Sequence, residues 1–237
     1  RSPDKDRKFW SEYLEGFEGI KRLPGEYYGK IPASNKARFS EWTSRLSISE
    51  TQKLTQTIKE CRVTLNTFVL GAWGILMGLY GDTKDVVFGI LVSGRPAHLE
   101  GVDSIVGMFL NSIPVRIRID DDQIFCKWIQ SIQIEQSKLL EFEHTPLRSI
   151  QEYCKFSAAK QLYECIVVNT DTIGGNANSK TKSDSTNSSA QPVLPSKVQQ
   201  SVPLHLDIEK VGEELHFKMT FDGNRFEQRS IGRVMEQ

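Results

Sequence analysis

The chain has 237 residues, in which 30 Lys and Arg balance 30 Asp and Glu to a formal net charge of zero. This balance argues against a nucleic-acid binder, which needs a basic surplus or a clustered basic face. Hydrophobic residues at 38% and charged residues at 25% are typical of a folded globular chain, so disorder throughout is excluded.

The two ends of the sequence predict a piece of a longer protein. The chain begins at Arg1 without a Met, no charged-then-apolar leader follows, and it stops at Gln237 inside a predicted helix without a Gly or Pro stop signal. We therefore expect a cytoplasmic fragment that has no signal peptide and no contact with a membrane.

The first half of the chain predicts helices and extended segments in alternation. Aromatic residues at helical spacing predict an amphipathic helix over residues 8–17, and residues 37–46 predict a strand. Ser47 and Glu50 match the S-x-x-E capping box at the start of the next helix. Residues 63–80 are apolar nearly all round and contain three glycines that suit close packing. We expect a buried core helix there, because a membrane span needs roughly 20 apolar residues.

The second half of the chain predicts a mixed sheet. Residues 85–92 predict a strand buried on both faces, and residues 113–119 alternate, which predicts a strand whose solvent-exposed face carries Arg116 and Arg118. Asp120–Asp122 suits the N-terminus of the following helix. The later elements are a strand at 163–169, a polar stretch at 171–200, a hairpin of 204–208 with 214–221, and a last helix from 224. This order predicts an α/β or α+β fold with a mixed sheet, in which residues 171–200 form a surface loop or a crossing segment.

The cysteines and histidines do not predict a metal site. The four cysteines are far apart and form no C-x-x-C pair, so we expect buried free thiols in a reducing compartment: Cys61, Cys126, Cys154 and Cys165. The four histidines are scattered and form no H-E-x-x-H pattern.

Two segments are candidates for function. The sequence contains no G-x-G-x-x-G, Walker or G-x-S-x-G pattern. The first segment is a predicted strand that ends in Ser93, Gly94 and Arg95, and the second is the stretch 106–116, which contains Asn111. On spacing alone, the two segments could simply be strand ends followed by turn residues. The alternative is that the cation Arg95 and the amide of Asn111 line a cleft together.

The ordered set of motifs resembles the second half of a condensation domain of nonribosomal peptide synthetases. Residues 107–114 match the family's G-x-F-x-N-(T/S)-x-P stretch at each position, and residues 93–95 precede it in the family's order. Residues 142–147 resemble its H-x-x-x-P-(F/L) stretch without the first His. The other similar segments are 9–14, 63–82, 85–89, 203–206 and 221–222, so the resemblance spans nearly the whole chain.

The resemblance implies a fold and a reaction. The fold is a chloramphenicol-acetyltransferase-like lobe, a mixed β-sheet packed with helices, and residues 1–237 are its C-terminal copy in a V-shaped pair whose N-terminal lobe is absent here. In the family, a tunnel runs between the two lobes. Carrier proteins present the acyl or peptidyl donor and the aminoacyl acceptor as thioesters on 4'-phosphopantetheine arms, and the acceptor amine attacks the donor carbonyl to form an amide bond.

The same resemblance implies a set of partners. They are the N-terminal lobe of the same domain, the upstream and downstream peptidyl carrier proteins, and an adjacent adenylation domain. The cofactor is the 4'-phosphopantetheine of the carriers, with none bound directly by this chain. Residues 171–200 stand where the family has a latch segment that reaches across to the other lobe, and a disordered insertion stays open for them.

The family's H-H-x-x-x-D-G motif does not occur in this sequence. Neither His98 nor His216 has the neighbours that this motif requires. Because proton transfer and positioning contribute much of such a rate, the resemblance implies that this chain alone is inactive and that the catalytic His belongs to the missing lobe.

The resemblance also implies supporting roles in this lobe. Arg95 is the candidate partner of the motif's Asp across the lobe interface, as a bidentate pair that fixes the His loop. Asn111 is a candidate hydrogen-bonding group of the tunnel wall, although a turn or cap role stays open. The supporting or interface residues are therefore Arg95, Ser93 and Asn111, and the tunnel residues are Gly107, Phe109 and Ser112.

Other functions stay open at this point. The motifs also fit a relative that uses CoA thioesters, and a non-catalytic docking or recruitment module. Epimerisation and heterocyclisation remain alternatives to condensation, because the residues that separate them belong to the first lobe.

Overall fold

The computed structural model describes residues 3–26, 39–93, 110–156, 161–170 and 202–237. The helices in these ranges are α1 Pro3–Tyr13, α2 Ile48–Cys61, α3 Leu65–Gly81, α4 Phe125–Leu140, α5 Leu147–Tyr153 and α6 Gln228–Met235. The strands are β1 Phe39–Leu46, β2 Asp85–Val92, β3 Asn111–Arg118, β4 Cys165–Asn169, β5 Leu204–Val211 and β6 Glu214–Asp222.

A six-stranded mixed sheet forms the centre of the described ranges, in the order β1-β6-β5-β4-β2-β3. Strand β4 runs parallel to both β2 and β5, and the other neighbours are antiparallel. The predicted mixed sheet with helices is therefore confirmed. The short strand β4 is buried along its whole length, as expected of a strand in the middle of a parallel set.

Helices α3 and α6 cover one face of this sheet. A Cβ at Gly74 of α3 would lie 2.7 Å from the Ile117 side chain, and one at Gly232 of α6 would lie 2.9 Å from the ring of Trp42. Ile117 and Trp42 belong to the same face by strand register. Helices α2 and α4 pack on α3, and the predicted core tryptophans Trp10, Trp73 and Trp128 are buried.

Short sequence motifs predicted the positions of several helices and strands correctly. The capping box at the start of α2 is present, because the Ser47 side chain accepts from the Glu50 N–H and the Glu50 carboxylate accepts from the Ser47 N–H. The predicted hairpin forms between β5 and β6. Helix α1 begins earlier than expected, at Pro3, a residue whose fixed φ suits the first turn of a helix.

The expected cap of α4 is wrong. The helix begins at Phe125, and its N-cap Ile124 makes no side-chain cap hydrogen bond. The aspartates stand in the preceding turn, where the Asp120 carboxylate accepts from the Asp122 N–H and Asp121 forms a 2.6 Å ion pair with Lys84.

The predicted solvent-exposed face of β3 is wrong at Arg116, whose side chain is 5% exposed. Its guanidinium forms a bidentate pair with Asp85, with distances of 2.7 and 2.6 Å, and donates to the carbonyls of Tyr13 and Glu15. The Tyr13 hydroxyl in turn accepts from the Arg116 backbone N–H at 2.8 Å. Helix α1 therefore covers the edge strand β3, and only Arg118 of the two arginines is exposed.

Two of the four cysteines are paired. Cys61 at the end of α2 and Cys126 in the first turn of α4 form a disulfide with a Cα–Cα distance of 4.8 Å, so the prediction of free thiols is wrong for this pair. Cys154 and Cys165 are free thiols. Burial raises the pKa of the Cys154 thiol to about 11, and burial raises the pKa of Cys165 as well.

The prediction that α3 is a buried core helix is confirmed for most of the helix, and it is wrong for a line of residues on the side that faces away from the sheet. Its buried residues include Val69, Leu70, Trp73 and Met77, whereas Leu79 is 72% exposed. No single described helix has the length and apolar content to cross a bilayer; only α2 and α3 taken together do, and they meet at a bend of 98°.

Candidate functional site

Half of the predicted site residues belong to the described structure. Arg95, Gly107 and Phe109 lie outside the described residues. Ser93 follows the last residue of β2, and Asn111 and Ser112 are the first two residues of β3.

Strand pairing brings Ser93 and Asn111 to the same end of the sheet. Val92 pairs with Asn111 across the antiparallel strands β2 and β3, and Ser93 is the next residue along the chain. Ser93 and Asn111 therefore stand side by side at one end of this strand pair. That the two motifs form one site stays a prediction, because Arg95, Gly107 and Phe109 lie outside the described residues.

The Asn111 amide fastens the start of β3 to the turn after α4. Its Nδ2 donates to the carbonyl of Glu143 at 2.7 Å and to that of Thr145 at 2.9 Å. An amide group has two N–H donors, so both are used by these carbonyls. The structure therefore gives Asn111 a positioning contact that holds the first residue of β3 to this turn.

Ser112 takes part in a second contact on the neighbouring strands. Tyr163 donates its hydroxyl proton to Ser112 Oγ at 2.8 Å, and burial raises the pKa of Tyr163 to about 12, which keeps the phenol protonated. The ring lies over Gly89 of β2, where a Cβ would come within 2.5 Å of Tyr163 Cε2. A glycine at position 89 therefore makes room for the tyrosine that holds Ser112.

A row of charged and polar side chains lies on the same face of the sheet as Ser112, opposite α3 and α6. Asp207 Oδ2 is 3.8 Å from Lys218 Nζ, and Lys218 Nζ is 4.0 Å from Glu41 Oε1. His205 Nε2 is 3.9 Å from Asp207 Oδ1 at the other end of the row. We call these four residues the polar row; it crosses β1, β6 and β5.

Burial sets the charge of the imidazole in this row. Desolvation lowers the pKa of His205, the Asp207 carboxylate opposes that shift, and Lys218 adds to it. The imidazole is therefore neutral at pH 7 and can both donate and accept a hydrogen bond. The row offers a cation, carboxylates and a neutral imidazole side by side, which suits the binding of polar groups.

Sequence reasoning did not single out the polar row. Its signal is the alternation in residues 204–208, in which His205 and Asp207 are half-buried between the buried Leu204, Leu206 and Ile208. The same alternation predicts the hairpin, but it does not indicate which strands place Lys218 and Glu41 beside Asp207.

The chain matches one protein family along almost its whole length. A family model described as "Condensation domain" matches residues 2–237. Two linear gramicidin synthase proteins of Brevibacillus parabrevis are similar to it: one is 33% identical over 99% of this chain, and the other is 34% identical over 97% of it. The chain spans only 5% and 3% of the lengths of these two relatives.

Solved structures with the same fold are more distant in sequence. A four-domain nonribosomal peptide synthetase, holo-AB3403 bound to AMP and glycine, superposes on 98% of this chain with a TM-score of 0.77 and 19% identity, over 18% of its own chain. The X-domain from teicoplanin biosynthesis superposes on 100% of this chain with a TM-score of 0.75 and 16% identity, and the match takes up 53% of that domain.

Proposed function

Because the chain belongs to the condensation-domain family, we propose that it is the C-terminal lobe of a condensation domain in a nonribosomal peptide synthetase. The match of the family model over residues 2–237 carries this proposal. The chain takes up 53% of the X-domain and 50% of a starter condensation domain of rhizomide synthetase, which supports its interpretation as one of two halves.

The proposed reaction is amide-bond formation between two carrier-bound substrates. The amine of the aminoacyl acceptor forms a C–N bond with the donor carbonyl carbon, the C–S bond of the donor thioester breaks, and the carrier thiol leaves. The amine loses a proton in this step. Since the sequence contains no H-H-x-x-x-D-G, we assign the group that handles this proton to the N-terminal lobe and a wall of the tunnel to this chain.

Specific residues would support that wall. Arg95 would pair with the motif's Asp across the lobes, and Ser93 lies beside it in the sequence. Asn111 would hold the end of the segment 94–109 through its contacts with the turn after α4. Gly107, Phe109 and Ser112 would line the tunnel.

The proposed partners follow from the multidomain relatives. Peptidyl carrier proteins would present the substrates on 4'-phosphopantetheine arms, and an adenylation domain would stand next in the chain. The similar fold in a four-domain synthetase supports this arrangement.

The test is a condensation assay on the full-length synthetase with carrier-loaded donor and acceptor. We expect Arg95→Ala to slow amide formation at least about tenfold, the loss of roughly one charge-assisted hydrogen bond. Arg148→Ala is the matched control, since the Arg148 side chain is 91% exposed, and its rate should stay unchanged. No amide product from carrier-bound substrates would refute the proposal, and free CoA thioesters as better donors would favour an acyltransferase relative instead.

Recruitment of another enzyme is a second candidate function. It is favoured by one observation, the similarity in fold to an X-domain that was solved as a complex with OxyB, with a TM-score of 0.74 over 99% of this chain. A full-length protein that forms no amide bond but retains a tailoring enzyme without any carrier protein would favour this candidate.

A further inference from the structure

Helix α3 carries an apolar stripe that faces away from the sheet. Phe68, Ala72, Ile75 and Leu79 recur at intervals of four, three and four residues, which places them along one line of a helix. Ala72 and Leu79 are exposed, Leu79 to 72%, and Phe68 and Ile75 are half-buried. At 1.5 Å per residue the stripe is about 16 Å long, or three helical turns.

A groove lies between this stripe and the start of α4. Phe125 is 42% exposed, its ring centroid is 5.8 Å from that of Phe68, and Ile124 next to it is 68% exposed. Ile75, Leu79 and Phe125 line a cavity of about 620 Å³ at the end of α3. We call this the α3 groove. Exposed apolar side chains that adjoin one another and are bordered by polar residues are a feature of interaction sites.

One end of the α3 groove is acidic. Among the described residues, the carboxylates of Asp82, Asp120 and Asp121 line this end. The single ammonium group beside them is that of Lys84, which already forms a 2.6 Å ion pair with Asp121. The last turn of α3 contains no basic residue, so its own side chains do not compensate the negative end of the helix dipole. Both features favour a cation from outside at this end.

These observations select the kind of partner. A strand partner would need a free sheet edge, whereas this surface is formed by two helices, so it fits a helix whose apolar residues follow the same spacing. An antiparallel helix would place its N-terminus above the C-terminal end of α3, where the two dipoles attract each other. We propose that the α3 groove binds an amphipathic helix of another domain or protein, antiparallel to α3, with Lys or Arg in its first turn over Asp82 and Asp120.

Binding of a labelled model helix to the full-length protein tests this proposal. The probe is a synthetic peptide of about four helical turns, with Leu at the spacing of the α3 stripe and Arg in its first turn. We expect Leu79→Gln to weaken the fluorescence-anisotropy affinity at least about tenfold, because a buried Leu side chain is lost from the contact. Ile134→Gln, at a 59% exposed position further along α4 that does not line the groove, is the matched control and should bind normally.

The charge of the probe tests the orientation. We expect a peptide with Glu in place of Arg to bind about threefold more weakly or worse, and Asp82→Asn to reduce that difference. Asp82 has φ of 48°, a conformation that Asn tolerates well, so this variant should keep the fold. Equal binding of wild type and Leu79→Gln would overturn the proposal. A protein that dimerises through Leu79 in light scattering would overturn it as well, in favour of a second copy as the occupant.

Discussion

Loss of the Asp85 carboxylate charge should loosen the edge of the sheet. In the variant Asp85→Asn the Arg116 guanidinium stays 5% exposed but loses its bidentate carboxylate, and the new amide presents an N–H group to one of its donors. The carbonyls of Tyr13 and Glu15 still accept from Arg116, so the cation is not left without partners. We therefore expect a local loss of stability rather than a failure to fold.

The magnitude follows from the burial of the pair. Removal of one partner from a fully buried ion pair costs about 3–5 kcal/mol. The Asp85 side chain is 33% exposed, so solvent screens part of this interaction and we expect about 2 kcal/mol. A local opening free energy that falls by about 2 kcal/mol speeds hydrogen exchange roughly 30-fold.

Hydrogen exchange followed by mass spectrometry on the full-length protein measures this effect in peptides that cover β3 and α1. Glu152→Gln is the matched control, because it removes a carboxylate from an ion pair that is largely exposed to solvent. Glu152 is 64% exposed, and its partner Arg148, at 3.2 Å, is 91% exposed. Such surface pairs contribute about 0.3–0.5 kcal/mol. The reasoning fails if exchange in β3 changes no more in Asp85→Asn than in Glu152→Gln.

Three further predictions concern the sheet and the disulfide. Gly89→Ala should destabilise the domain by about 1–3 kcal/mol in urea unfolding, because the new Cβ meets the Tyr163 ring; a stability equal to wild type would contradict this. Cys126→Ser should lower the unfolding temperature under oxidising conditions only, since it removes the bond to Cys61; equal loss in reducing buffer would count against the pairing. Burial lowers the pKa of His205 below its ordinary 6.5. The contribution of this residue to stability is therefore present above pH 6.5 and falls on acidification towards the folded-state pKa. His205→Gln should flatten that part of the profile of stability against pH, and an unchanged profile would refute the prediction.

Signals that act between near neighbours in the sequence were sufficient for most of the fold. The capping box needs only Ser47 and Glu50, and the hairpin needs two alternating runs around a short turn, so both were predictable. The pairing of Val92 with Asn111 joins two strands that follow each other in the chain, and it puts Ser93 and Asn111 at the same end of the sheet.

Contacts between distant parts of the chain were not predictable in the same way. The alternation within β3 predicts a solvent-exposed Arg116. The prediction fails because α1 covers this side chain, and Tyr13 of α1 is 103 residues away in the sequence. Cys61 and Cys126 are 65 residues apart and belong to no spacing motif. Such contacts depend on how the elements pack together, which the periodicity of a single segment does not contain.

The contacts of the candidate site residues were not predictable from the motifs. The motif order predicts a tunnel position for Asn111, and its spacing did not indicate that both amide donors would be taken by the carbonyls of Glu143 and Thr145. An Asn used in this way would act on a reaction by holding a segment in place, so its replacement should change the rate through substrate position rather than through proton transfer.

The polar row and the α3 groove differ in the kind of contact they can make. Charges such as Asp207 and Lys218 resist burial in a dry interface, because the loss of hydration is offset only by well-formed hydrogen bonds. The polar row therefore favours a wet wall that faces polar substrates or a hydrated lobe interface. The α3 groove, with exposed Leu79 and Phe125, favours a dry contact with a helix. Because the sheet separates the two surfaces, the proposed tunnel wall on one face and the proposed helix partner on the other would not compete with each other.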